Sequence, residues 1–336
     1  MKGASRRRLL RGSLALAGLG LLAGCGVTPP WVQPPAKVPR IGFLGGTTEA
    51  AEAARVEAFR QGLRELGYAE GQTIDIEWRW AEGQFERLPA LAAELADLGL
   101  EIIVAGGSVS ARAAKVATAT IPIVFTQDQD PVGNGLVASL ARPGGNATGL
   151  SLLTPGLAGK RLEFLKEVVP TLARVAAIGS STTPGNAQSL RETERAAAAL
   201  GLEVRYWDAP GPEDIEAAFR DAAAWRPDAV VVLGGPAFIL RRVRVAELAA
   251  KYRLPAMYST QEQVVDGGLV GYSANVAHLY RRAAAYVDKI LKGAKPADLP
   301  VEQPTKFDLV INLKTARALG LTIPQAVLLQ ATDVIQ

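Results

Sequence analysis

The 336-residue chain has one cysteine, Cys25, and one histidine, His278. A single cysteine excludes an intramolecular disulfide and any cysteine-based metal cluster, and its place near the N-terminus leaves no thiol for chemistry in the folded part. A single histidine, inside the helical pattern near residues 275–291, leaves Ser-His-Asp and His-metal arrangements without their parts. No Gly-x-Gly-x-x-Gly follows a strand pattern and no P-loop Gly-Lys-Ser/Thr occurs. No carboxylate pair singles itself out for acid–base work. The expectation is a protein without catalytic residues, metal or cofactor. Basic clusters with interleaved aromatics are also missing, which argues against nucleic acid as a partner.

Long apolar runs are missing as well. Leu14 to Ala23 is the longest near the start, and it is too short to span a bilayer as a mature helix. It follows Lys2, Arg6, Arg7, Arg8 and Arg11 and ends in Leu22-Ala23-Gly24-Cys25. That layout resembles a bacterial lipobox, so residues 1–24 read as a lipoprotein signal peptide and Cys25 as the lipidated N-terminus. Ser5-Arg6-Arg7-Arg8-Leu9-Leu10 also resembles a twin-arginine signal, which leaves the export route open. The formal charge is +4, and removing the five cations of residues 1–24 leaves −1, so the basic pI belongs to the export segment. Residues 25–39 are proline-rich and read as an extended linker holding the body off a membrane. About three hundred residues remain, comfortable for two lobes.

From Arg40 onward, short apolar runs alternate with amphipathic ones. The spacing predicts a strand at Ile41–Leu44, a helix at 50–66 stopped by Gly67, a strand at 73–80, a helix at 85–98, a strand at 100–105, a helix near 110–117 and a strand at 121–126. The order then begins again, from a strand at 175–178 to a strand at 256–258, with one long helix over 238–252. Three echoes in the same order support an internal duplication. Leu66-Gly67 matches Leu200-Gly201, Ile103-Val-Ala-Gly-Gly107 matches Val231-Val-Leu-Gly-Gly235, and Ile121-Pro122 matches Leu254-Pro255. The expected fold is α/β, two Rossmann-like lobes with parallel sheets joined by a multi-crossover hinge. Lobe 1 is expected over 40–152 plus about 275–304, and lobe 2 over 153–274 plus about 305–336.

In open α/β sheets a ligand sits beyond the carboxyl ends of the strands. Those ends supply Gly46, Thr47, Gly107, Ser108, Ser180, Ser181 and Gly235 as candidate ligand contacts. A helix starting at Ser108 or Ser110 favours an anionic group at its N-terminus. Asp128 and Asp130 are the acids best placed to meet an ammonium or hydroxyl, and Tyr258 and Tyr272 could pack on a flat group. Among the tryptophans, Trp80 is the candidate to reach the cleft. Each of these residue types also has an ordinary structural use, which is capping for Ser and Thr, turn formation for Asp130-Pro131 and sheet packing for tyrosine.

Several stretches resemble a known family: Pro39-Arg-Ile-Gly-Phe43, Phe59-Arg-Gln-Gly-Leu-Arg-Glu-Leu-Gly-Tyr68, Leu140-Ala-Arg-Pro-Gly-Gly-Asn-Ala-Thr-Gly149, Leu162-Glu-Phe-Leu-Lys-Glu167, Tyr280-Arg-Arg-Ala-Ala284 and Val301-Glu-Gln-Pro-Thr-Lys-Phe-Asp-Leu-Val-Ile-Asn312. They are similar to the ABC transporter substrate-binding lipoproteins that include tryptophan-binding members, built on the type I periplasmic binding protein fold. The resemblance implies two lobes closing on one small molecule, then docking on a permease with a cytoplasmic ATPase. It implies a monomer outside the cytoplasm, held to the membrane only through its lipid. A ligand-sensing role, presenting the same ligand to a membrane receptor, is the alternative. Amino-acid binders of the family carry a polar or acidic residue after the strand that ends here at Leu233, where this chain has Gly234-Gly-Pro-Ala237. The ligand class therefore stays open among amino acids, aromatic compounds and other small carboxylates.

Overall fold

The computed structural model describes residues 38–152 and 155–336. The expected signal peptide, Cys25 and nearly all of the expected linker lie outside the described residues. The first sheet is built from β1 (Arg40–Gly45), α1 (Glu49–Glu65), β2 (Asp75–Trp80), α2 (Leu88–Asp97), β3 (Ile102–Gly106), α3 (Ser108–Ala117), β4 (Ile123–Asp128) and β5 (Ala147–Ser151). Its strands run parallel in the order β2-β1-β3-β4-β5. Residues 41–45 are all buried, as a strand covered on both faces requires.

The second sheet begins with α4 (Ala158–Val168), β6 (Arg174–Gly179), α5 (Asn186–Leu200), β7 (Glu203–Asp208), α6 (Ile215–Ala224), β8 (Ala229–Val232), α7 (Pro236–Leu240), α8 (Arg242–Lys251), β9 (Ala256–Tyr258), α9 (Gln261–Val265) and β10 (Val270–Ala274). After these come α10 (Val276–Leu291), β11 (Phe307–Asn312), α11 (Leu313–Leu319), α12 (Gln325–Leu328) and β12 (Asp333–Ile335). Its order is β12-β11-β10-β9-β8-β6-β7. The run β7-β6-β8-β9-β10 repeats the order of the first sheet, which is the duplication the sequence echoes suggest. β11 pairs antiparallel with β10, so the sheets are mostly rather than wholly parallel.

Each sheet is covered on both faces. On the first, Phe43, Phe59 and Leu63 pack with Tyr280, Ala283 and Val287 of α10, while Leu44, Leu88 and Leu95 fill the opposite side. On the second, Leu162, Leu165 and Val231 occupy one side and Phe219, Val230 and Leu248 the other. The chain leaves the first sheet after β5, returns to it with α10, and touches it once more where Glu302 bridges to Leu150 before β11 begins. Three passages between sheets join the halves.

The elements differ from expectation in two respects. The helix predicted over 238–252 breaks at Arg241, which leaves helical geometry at φ −102° and ψ 22° and separates α7 from α8. β5, α4, α9, α12 and β12 are additional to the elements that the spacing predicts. Several are short, and Ala147-Thr-Gly-Leu-Ser151 has a glycine at its centre that weakens any strand pattern.

Candidate functional site

The carboxyl ends of the strands in both sheets converge on one cavity. From the first half it is lined by Gly46 and Thr47 after β1, Glu52 and Arg55 of α1, Gly106 to Ser110 at the β3–α3 junction, and Gln127 and Gln129 around the end of β4. From the second half come Thr183 after β6, Gly235, Pro236 and Ile239 around α7, and Ser259 and Thr260 after β9. Phe85, Leu152 and Val276 add apolar wall.

The repeated Gly-Gly motif explains part of this geometry. Gly107 and Gly235 precede α3 and α7 at φ 123° and 130°, conformations that favour glycine. At each, the strand ends, the backbone turns sharply, and a helix begins facing the cavity. A Cβ on Gly235 would stand 2.6 Å from the Thr183 hydroxyl, so the cavity wall there is bare backbone by necessity. Gly107 has no side-chain cap, leaving the first N–H groups of α3 available to a ligand.

Two charged side chains line the cavity, one turn apart on α1. Thr48 caps that helix, its hydroxyl accepting the Ala51 N–H at 3.1 Å. Glu52 is 4 % exposed and accepts from the Thr47 hydroxyl at 2.8 Å and the Tyr280 hydroxyl at 3.0 Å. Arg55, 8 % exposed, crosses between the halves. Its Nε and Nη2 both donate to Oε1 of Glu262 on α9, at 3.1 and 2.5 Å. Burial alone would lower the Arg55 pKa, but Glu262, Tyr280 and Glu52 more than reverse this, so it stays protonated. Burial would raise Glu262, and Arg55 outweighs it, holding the carboxyl below its usual range.

Five of the residues singled out from sequence line the cavity: Gly46, Thr47, Gly107, Ser108 and Gly235. The structure gives the other six different roles. Asp128 is fully buried behind the wall, where its Oδ1 accepts from the Asp130 N–H and Asn134, both at 2.8 Å. Burial pushes its carboxyl up to about 6, although Ser108, Asn134 and the Asp130 N–H draw it partly back. Asp130 caps its own turn by accepting the Gly133 N–H at 2.9 Å. Ser180 donates to the Pro210 carbonyl, and Ser181 donates to Asp208. Tyr258 points into the sheet–helix core with no exposure, because the close approach of Gly268 closes over its ring. Tyr272 stacks on Phe307 and meets Phe164 edge-on. Trp80, expected to reach the cleft, instead stacks on Trp78 and packs at a tilt against Phe43. His278 lies in the first turn of α10, its N–H donating to the cap Asn275.

Sequence reasoning missed Glu52, Arg55, Gln127, Gln129, Thr183, Ser259 and Thr260. Thr183 and Ser259 lie within the strand-end segments that periodicity marks, and Gln127 and Gln129 flank Asp128. Glu52 and Arg55 give no signal, since a Glu and an Arg on a helix read as a solvated face.

A cavity shared by the strand ends of two like α/β halves, bridged by an ion pair, defines a two-lobe binding protein of the type I periplasmic kind. A family model described as ABC transporter substrate binding protein matches residues 48–335, and the chain belongs to that family. A tyrosine-binding protein of Clostridioides difficile (strain R20291) is 25% identical over 265 residues, 79% of this chain and 76% of that one. The ABC domain from Streptococcus pneumonia solved in complex with L-Trp superposes with a TM-score of 0.84 at 28% identity, covering 88% of this chain and 99% of that one. The ligand-free, open structure of a substrate binding protein with adhesive properties from Clostridium difficile shares the fold, with a TM-score of 0.67 at 24% identity over 89% and 99% of the two chains. Among the described residues no helix is long and apolar enough to cross a membrane.

Proposed function

We propose that this chain is the extracytoplasmic solute receptor of an ABC importer, closing on one small organic ligand and delivering it to a permease coupled to a cytoplasmic ATPase. The observation that carries this reading is the cavity walled by both halves, with Arg55 reaching Glu262 across it. The jaws are 40–152 with about 275–304, and 153–274 with about 305–336, and the three passages between them form the hinge. The ligand is an amino acid, an aromatic compound or another small carboxylate. The tyrosine-binding relative and the L-Trp complex favour an aromatic amino acid. Gly46, Thr47, Gly107, Ser108 and Gly235 are assigned to ligand contact, with Gln127, Gln129, Thr183, Ser259 and Thr260 beside them. The protein acts as a monomer without a cofactor, exported and tethered through a lipid on Cys25.

Thermal unfolding of the mature chain against amino acids, aromatic acids and other small metabolites tests this. A ligand that binds only the folded state raises the melting temperature by mass action. One saturable shift is the expected result. A flat response across the whole panel refutes the reading.

A further inference from the structure

The two halves meet outside the cavity as well as across it. The turn after β2 belongs to the first half, and Glu82 and Gly83 both take left-handed backbone there, at φ 56° and 78°. For a glutamate that conformation is strained and persists only where neighbouring bonds hold it. Here three do. The Ala81 N–H donates to the Gly45 carbonyl at 3.0 Å, Gly83 to Gly46 at 3.1 Å, and Gln84 to Ala81 at 2.8 Å. The turn is thereby fastened to the end of β1, with Ala81 buried and Phe85 reaching the cavity.

α7 supplies the facing element from the second half. Phe238 is fully buried in the core of that half and fixes the helix, while Ile239 lines the cavity. Leu240, the last residue before the break at Arg241, reaches the other half instead. A Cβ on Gly83 would stand 2.8, 3.5 and 3.8 Å from Leu240 Cδ2, Cδ1 and Cγ, so the branched end of Leu240 fills the space that any larger residue at 83 would need. Neither Gly83 nor Leu240 lines the cavity. The halves also meet where Arg55 pairs with Glu262 and where Gln129 packs on Gly185, and both of those first-half residues face the cavity. The contact of Leu240 with Gly83 is apolar and stands clear of it.

We propose that Leu240 seated on Gly83 is an apolar latch that holds the halves closed and sets how long a bound solute stays, without touching the solute. This rests on the solute-receptor reading above and adds the regulation of that same cavity. An open form parts Leu240 from Gly83 and returns the isobutyl end to water, so the contact favours the closed form alone. Both sides are rigid beforehand: α7 is fixed by Phe238 and the turn by its three hydrogen bonds, so closing orders little that is loose. The contact carries no charge, so salt does not screen it as it screens a partly exposed ion pair. Gly83 and Leu240 are thus positioning residues for the closed form.

The test has two arms, and the first needs no solute. In the mature chain carrying Cys25→Ser, Gly83→Cys with Leu240→Cys should cross-link on mild oxidation, and small-angle scattering should show the cross-linked protein more compact than its reduced form. A protein with an intact circular dichroism spectrum that forms no cross-link overturns the latch. The second arm is stopped-flow dissociation of the solute that shifts melting in the panel above, with L-tryptophan and L-tyrosine tried first. Gly83→Asn places a residue that tolerates left-handed backbone and wedges its side chain into the seat. Leu240→Ala empties the seat from the other side. Each should speed dissociation about fivefold, as for about half a leucine side chain returned to water, with association little changed. The double variant should dissociate no faster than either single one, because the lost isobutyl group makes room for the asparagine. Unchanged dissociation in the single variants, or effects that multiply to about 25-fold in the double, would overturn the proposal. A turn that matters only for folding would instead show a lower melting temperature in Gly83→Asn with no rescue by Leu240→Ala. If the panel yields no solute while the cross-link forms, the closing contact stands and the receptor reading falls; if a solute binds and no cross-link forms, the reverse holds.

Discussion

The Arg55–Glu262 pair offers a direct test of closure. Arg55 belongs to the half carrying α1 and Glu262 to the half carrying α9, so the pair can exist only while the halves are together. Their side chains are 10% and 31% exposed. Glu262→Gln keeps an acceptor oxygen for both Arg55 donors but removes the charge that compensates a buried guanidinium. Breaking a fully buried pair costs about 3–5 kcal/mol. Solvent reaches Glu262 in part, and the hydrogen bonds survive in weaker form, so about 1–3 kcal/mol is the reasonable range. In the open form both groups are hydrated separately, so the loss falls on the closed form alone. Ligand affinity should then drop by about fivefold to 150-fold. Calorimetry gives the affinity, and small-angle scattering with and without ligand gives the degree of closure. The depressed Glu262 pKa fixes the sign of the pH effect: its contribution is present above the usual carboxylate range and lost only as pH falls through the lowered value. Wild-type affinity should therefore hold down to mildly acidic pH. An unchanged dissociation constant in Glu262→Gln would falsify the view that this pair carries closure.

Three other perturbations have clear signs. Asp128 titrates near 6 in the folded chain against an ordinary 3.8, so the folded state holds the proton more tightly, and stability falls as pH rises from about 4 to 6. Asp128→Asn should remove that loss and stabilise the protein by about 1–3 kcal/mol at pH 8 and little at pH 4; urea melts at the two pH values check it, and equal shifts at both would contradict the burial argument. Gly235→Ala forces an alanine to φ 130° with its Cβ against Thr183, so a stability loss of about 1–3 kcal/mol with weakened ligand binding is expected in parallel denaturant and calorimetric measurements. Cys25→Ser should move the protein from the membrane fraction to the soluble exported fraction, and acylated, membrane-bound variant would sink the lipid-anchor reading.

Much of the fold is legible in the sequence because its strands are buried on both faces. Runs such as Ile41-Gly-Phe-Leu44 and Ala229-Val-Val-Val232 admit few other readings, and the amphipathic stretches between them run to whole helices. The Gly-Gly echo is a sound pointer to the cavity because it reflects a backbone need: both second glycines take a φ that side-chain-bearing residues avoid. What escapes is whatever depends on a neighbour distant in sequence. The pattern over 238–252 is continuous in hydrophobicity, and the break at Arg241 leaves no mark that propensity could register. Tyr258 ends its strand as expected, whereas Tyr272 lies at the centre of β10 rather than at its end. The turn of each side chain toward the core is set by Gly268 in one case and by Phe164 and Phe307 in the other.

The same reason hides the two charged residues of the cavity. Glu52 and Arg55 stand three apart on a helix with Glu49 and Glu57 nearby, a pattern that on its own describes a solvated face. Burial reaches them from elsewhere: α10, more than two hundred residues later, lays Tyr280 against Glu52, and α9 brings Glu262 to Arg55. Those two contacts come from the first return of the chain to the opening sheet and from the second half. The crossover helix α10 and α9 of the second half thus turn an ordinary helical surface into a charged, enclosed wall. If that is the origin of the site, the character of Glu52 should depend on the crossover helix. Tyr280→Phe removes one of its two hydrogen bonds without opening space, so it should weaken ligand binding at the Glu52 wall and cost about 1–3 kcal/mol of stability, because a buried carboxylate loses a donor. A loss of stability with unaltered ligand binding would instead make Tyr280 a packing residue alone and return Glu52 to a structural role.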